Sequence, residues 1–176
     1  MILIVLAALC IISVPITRGN LGRLSELRLR WLWTAPAALI LQTVIVSVAP
    51  GGSESLHAAA HIVSYALVGA FLWANRHVAG AKLIALGALS NTLAVVANGG
   101  VMPASRTAQH LAGLTEGGGF QNSAAISHPI LLWLGDIIPV PGPLPNVMSV
   151  GDCIIFAGLL VLLHRQCRPR ATLQPA

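Results

Sequence analysis

Acidic residues within apolar runs are the first places where this chain could do chemistry, because a carboxylate among apolar side chains is costly unless it gains a cation, a proton or hydrogen-bond donors. Asp152 lies just inside the apolar run 147–164, directly after Ser149-Val150-Gly151. Two readings fit it. It can bind a cation or relay a proton, or Ser149 can be the N-cap of a helix and Asp152 the acidic half of a capping box. Asp136, between Gly135 and Ile137, either shares a site with Asp152 or points into headgroup water.

His57 and His61 stand four apart, which places them on one face of a helix with Tyr65 continuing the stripe. Two histidines at that spacing can ligate a metal if Asp136 or Asp152 completes the shell. There is no zinc-protease glutamate between them and no cysteine pair nearby, so the metal is left unknown, and interhelical hydrogen bonding is the competing role. Asn91 and Asn98, seven apart, share a face with Gly87 and Ala88, while Ala66, Ala70 and Ala74 form a small-residue stripe on the preceding helix. The two stripes suit close packing of those helices; alternatively His61, Tyr65, Asn91 and Asn98 line a polar ligand cavity. Cys10, Cys153 and Cys167 fall at different depths, and no disulfide is expected. No phosphate-binding glycine loop, Gly-x-Ser-x-Gly elbow or Cys-x-x-Cys is present, so no cofactor is expected and an enzyme is disfavoured.

The elements that must position these residues are set by composition. The 176 residues are 56% hydrophobic and only 9% charged, with a mean hydropathy of +0.81, against roughly a quarter charged in ordinary soluble domains. The reading is an all-α polytopic membrane protein. Its five transmembrane helices are placed at about 1–17, 31–49, 56–75, 78–101 and 147–164 of a single domain spanning 1–176.

Of ten basic residues, nine cluster at the ends of apolar runs: Arg18, Arg23, Arg28 and Arg30; Arg76 and Lys82; Arg165, Arg168 and Arg170. Placing these clusters inside puts the N-terminus outside and the C-terminus in the cytoplasm. The outer connection 103–146 is expected to hold a short helix around Thr107 to Leu114. A re-entrant or interfacial stretch follows from His128 to Val140, and Pro139, Pro141, Pro143 and Pro145 force an extended return. The segments 99–104 and 135–140 echo each other, each with Gly, two apolar residues, Pro and a small residue.

The motifs Asn98-Gly99-Gly100-Val101-Met102-Pro103, Leu134-Gly135-Asp136-Ile137-Ile138-Pro139 and Ser149-Val150-Gly151-Asp152 resemble, in order and spacing, the bacterial family called domain of unknown function 5317. That resemblance implies a bacterial cytoplasmic membrane protein and emphasises Asn98, Gly99, Gly100, Met102, Pro103, Gly135, Asp136, Gly151 and Asp152. It supplies no activity.

The functional expectation is a non-enzymatic subunit, scaffold or accessory factor of a membrane assembly. The alternative is a small-solute, ion or lipid-handling protein whose outer-facing site comprises Asn98, Gly99, Gly100, Asp136, Asp152, His57 and His61. Expected partners are the lipid bilayer, other membrane proteins or a second copy of the chain. Nucleic acid is not among them, because the basic clusters lack aromatic or motif support.

Overall fold

The computed structural model describes residues 2–48, 54–114, 123–124 and 128–169. Helix α1 (Ile2–Ile16) is a nearly uniform apolar helix. It ends where Arg18 turns left-handed and the Thr17 hydroxyl lies within hydrogen-bonding reach of the Val14 carbonyl, at 3.0 Å. A 3-10 helix (Leu21–Glu26) follows, with Asn20 as its N-cap. Helices α2 (Thr34–Val48) and α3 (Glu54–Ala74) pack against each other, and a turn at 75–80 leads into α4 (Ala81–Ala97).

The chain then becomes mixed. Strand β1 (Met102–Pro103) pairs in parallel with β2 (Ser123–Ala124), and α5 (Arg106–Ala112) lies between them in sequence, capped by Ser105 and Gly113. After a short 3-10 helix (Leu132–Leu134), β3 (Asp136–Val140) and β4 (Asn146–Ser149) form an antiparallel hairpin. Its register runs from Asp136 opposite Ser149 to Val140 opposite Asn146, with an irregularity between Asp136 and Ile138. Ala104 bridges to Asp136, so β1 and β3 meet at one point. Helix α6 (Val150–Gln166) completes the described fold.

The expectation of an all-α, five-span membrane protein is corrected. Strands and a hairpin occupy part of the 103–146 connection, and among the described residues no helix is long and apolar enough to cross a membrane. Helices α1 and α2 have 15 residues each, and α4 and α6 have 17 each. At 1.5 Å per residue these give about 22 to 26 Å, short of the ~30 Å hydrocarbon core. Helix α3 has 21 residues, but its first half carries Glu54, Ser55, His57 and His61. The multi-pass cytoplasmic-membrane location and the topology built on it are corrected by the same finding.

The physical reason is that apolar runs were extended through residues that end helices. Trp31 sits in a turn at φ 53°, Asn98-Gly99-Gly100 closes α4 with both glycines left-handed, and Val147-Met148-Ser149 is strand. The segment 136–140, expected to dip as a re-entrant piece, is the first strand of the hairpin.

The helix partnership is corrected as well. The small-residue face of α4 packs on α6, and α3 turns instead toward α2. Gly80 and Gly87 meet Gly158 and Gly151, so the two helices run antiparallel with backbones in contact. A Cβ on Gly158 would lie 2.9 Å from the Gly80 carbonyl oxygen, and one on Gly151 would lie 2.7 Å from that of Gly87. Helix α1 closes over the other end of α6, where Cys10, Val14, Leu163 and Cys167 form a buried cluster. There Ser13 Oγ lies 2.9 Å from His164 Nε2.

Candidate functional site

The corner where α4 passes the start of α6 gathers the polar groups singled out from the sequence. Ser149 is fully buried and caps α6: its Oγ accepts from Asp152 N at 2.9 Å, while Asp152 Oδ2 accepts from Ser149 N at 3.1 Å. This is a complete capping box, which satisfies orphan backbone donors at the helix start. Asn91 reaches in from α4 and joins both halves. Its Nδ2 donates to Asp152 Oδ1 at 2.9 Å, and Ser149 Oγ donates to its Oδ1 at 2.8 Å. Gly151 is what admits it, since a Cβ there would collide with the Asn91 amide.

Both carboxylate oxygens of Asp152 thus accept from groups of the chain itself. Asp136 is buried one ladder step away: it opens β3 opposite Ser149, and its backbone oxygen accepts from Ser105 N at 3.0 Å. Asp136 and Asp152 therefore occupy one corner.

Asn98 lies two helical turns beyond Asn91 and performs a different task. Its Oδ1 accepts from Ile130 N at 2.8 Å, and its Nδ2 donates to Ile130 O and Ala94 O, both at 2.7 Å. Gly99 and Gly100, at φ 67° and 96°, turn the chain away from α4 toward β1. The echoed segments also touch. A Cβ on Gly135 would lie 2.9 Å from Pro103 Cγ, and Pro103 is fully buried.

His57 and His61 fall on α3, but their side chains lie outside the described residues. Among the described residues no group of three or more His, Cys, Asp or Glu could hold a metal ion. Cys10, Cys153 and Cys167 are free thiols, the first and last of them buried.

Several features were not singled out from the sequence. Asn75, at the end of α3, binds Arg30 as Asn98 binds Ile130: Oδ1 accepts from Arg30 N at 2.8 Å, and Nδ2 donates to Arg30 O at 2.9 Å. The spacing of seven in both Gly80/Gly87 and Gly151/Gly158 was a usable signal for the α4–α6 contact. Between α3 and α4 opens a groove of about 720 Å³, with Tyr65, Asn91 and Thr92 at one end and Arg76 and Lys82 at the other. Burial pushes the Tyr65 phenol above its ordinary value of 10.0.

Comparisons with known proteins add two likenesses. The family of unknown function DUF5317 matches residues 26–164. An uncharacterized protein of Thermotoga maritima is 34% identical over 108 residues, which cover 60% of this chain and 61% of that protein's length. No solved structure matches.

Proposed function

The chain belongs to the family of unknown function DUF5317, and since that membership brings no activity with it, we propose from the geometry that the protein is a non-enzymatic subunit or accessory factor of a larger assembly. One observation carries this reading. The side of α4 away from α6 presents Leu86, Leu89, Leu93 and Val96, each about half exposed or more. Their spacing of three, four and three is that of a helix-pairing seam. Isolated exposed leucines are ordinary, whereas an apolar stripe along a whole helix marks a surface that is covered in use.

The polar corner supports the same reading from the other direction. Asn91, Ser149 and Asp152 direct their hydrogen bonds at one another, as a structural joint does. The cover for the seam is a helix of a partner protein or of a second copy of the chain.

The experiment is affinity purification at native expression level, with the native mass of the recovered species measured for the unaltered chain and for Leu86→Gln/Leu93→Gln. A defined complex that the double variant loses while its helical signal persists is the expected result. A monomer that shows catalytic turnover by itself overturns the proposal.

A further inference from the structure

The groove between α3 and α4 has a polarity that the seam does not. Its walls are apolar, with Val68 and Leu72 facing Leu89 and Val95, and its two ends differ. At the turn end stand Arg76 and Lys82. The Arg76 guanidinium lies over the Trp73 ring, 4.5 Å from its centroid, and its Nη1 donates to Trp73 O at 2.9 Å. The remaining guanidinium donors face no carboxylate: among the described residues, neither Arg76 nor Lys82 has an ion-pair partner, and no acidic side chain lines the groove. At the far end Thr92 Oγ1 donates to Ala88 O at 2.8 Å, and Asn91 is held by Asp152 and Ser149.

Size limits the occupant. From Tyr65 to its end at Ala74, α3 rises about 14 Å. The groove holds about 720 Å³. The volume lies within the usual range of small-molecule sites, about 300 to 1,000 Å³. A slender apolar body with one anionic end satisfies both the walls and the cations.

We propose that the α3–α4 groove binds a single-chain alkyl carboxylate, its chain along Val68, Leu72, Leu89 and Val95 and its carboxylate held by Arg76 and Lys82. Arginine suits this head group because its planar fork matches a carboxylate with two parallel hydrogen bonds. Gly69 lies on the groove wall and has room: a Cβ there meets nothing within 4 Å. A larger side chain at Gly69 therefore obstructs the groove without disturbing the fold. The groove shares Leu89 with the seam of the proposed assembly role, but its cations and its α3 wall lie outside that seam, so the proposal does not depend on it.

The test is calorimetric titration of the full-length purified chain with dodecanoate below its micelle concentration, and with 1-dodecanol as the uncharged analogue. Saturable one-to-one binding of dodecanoate is expected, weakened about tenfold or more in Arg76→Gln/Lys82→Gln and abolished in Gly69→Leu. Ala88→Leu obstructs the opposite wall and serves if Gly69→Leu loses its helical signal. Absence of saturable binding, binding unchanged by the obstructing variant, or equal affinity for dodecanol would each overturn the proposal.

Discussion

Asn98 holds Ile130 by both of its backbone polar groups, standing in for the neighbouring strand that a sheet would have supplied. A side-chain amide can do this because it carries a donor and an acceptor side by side. Asn75 repeats the arrangement on Arg30. In each case the next residue is left-handed, Leu131 at φ 54° and Trp31 at φ 53°, and a tryptophan follows two positions later, Trp133 and Trp33, both exposed. The turn that follows each held residue is thus pinned at its root by the end of a helix.

Removing that root should be costly but local. Asn98→Ala is expected to destabilise the fold by about 1 to 2 kcal/mol, because the Ile130 groups are only partly shielded from water and recover some hydration. Amide hydrogen exchange at Ile130 should accelerate while exchange in the middle of α6 is unchanged. Unaltered protection at Ile130 would refute the assignment.

The corner at Ser149 should behave as one unit. Ser149→Ala removes the cap of α6 and is expected to cost about 1 to 2 kcal/mol. Asn91→Ala leaves Asp152 Oδ1 without its amide donor. Since the two residues share a hydrogen bond, their effects in the double variant should be less than additive, with a coupling of about 0.5 kcal/mol or more. Denaturant melts of the four proteins in the cycle measure it, and strict additivity would show that the residues act separately.

Glycine-to-alanine changes should differ in sign along neighbouring helices. At Gly69 the new methyl meets open space, and alanine is the better helix former, so a gain of about 0.5 to 1 kcal/mol is expected. At Gly158 the methyl would meet Ile84 N at 2.8 Å and Gly80 O at 2.9 Å, forcing α4 and α6 apart. A loss of about 1 to 3 kcal/mol follows. Thermal melting of the pair decides it; stabilisation by both would mean that the helices are not in backbone contact.

Tyr65 provides a pH readout, because it is the only tyrosine in the chain. Burial disfavours its phenolate and raises its folded pKa above 10.0. The sign follows: the unfolded chain loses this proton first, so the contribution of Tyr65 to stability is complete below pH 10.0 and is lost as pH rises through the folded value. An ultraviolet titration of tyrosinate absorbance should show a midpoint above that of the same protein in denaturant. Coincident midpoints would place the phenol in water.

What the sequence disclosed was local. The Ser149 and Asp152 box was legible because a capping signature depends on residues three apart, and the short helix expected near Thr107 to Leu114 is α5, Arg106–Ala112. The existence of the five long helices was legible from apolar runs. Their lengths were not, because Trp31, Asn98 and Val147 are as compatible with turns and strands as with helix, and only the backbone decides among these. Long-range pairing was legible only through the matching glycine spacing of α4 and α6. The polar face of Asn91 and Asn98 was visible, but nothing within α4 says whether α3 or α6 receives it. The corner formed by Asp136, Ser149 and Asp152 depends on a hairpin register that an apolar run with four prolines does not reveal.

The paired glycines of α4 and α6 have a consequence for alignment. A repeat of seven cannot by itself say where it starts: if α6 slid along α4 by two turns, about 10 Å, Gly87 would face Gly158 or Gly80 would face Gly151, and one intimate crossing would survive. Asn98 stands seven residues after Asn91, but its amide is already engaged by Ile130, so a slid helix would leave the Asn91 amide and the Asp152 carboxylate without each other. A polar contact at one position of a repeating interface fixes which of several equivalent placements is adopted. The residues that first suggested chemistry thus act as an index mark, and exchanging Asn91 for an apolar residue would make the placement of α6 ambiguous even where the fold survives.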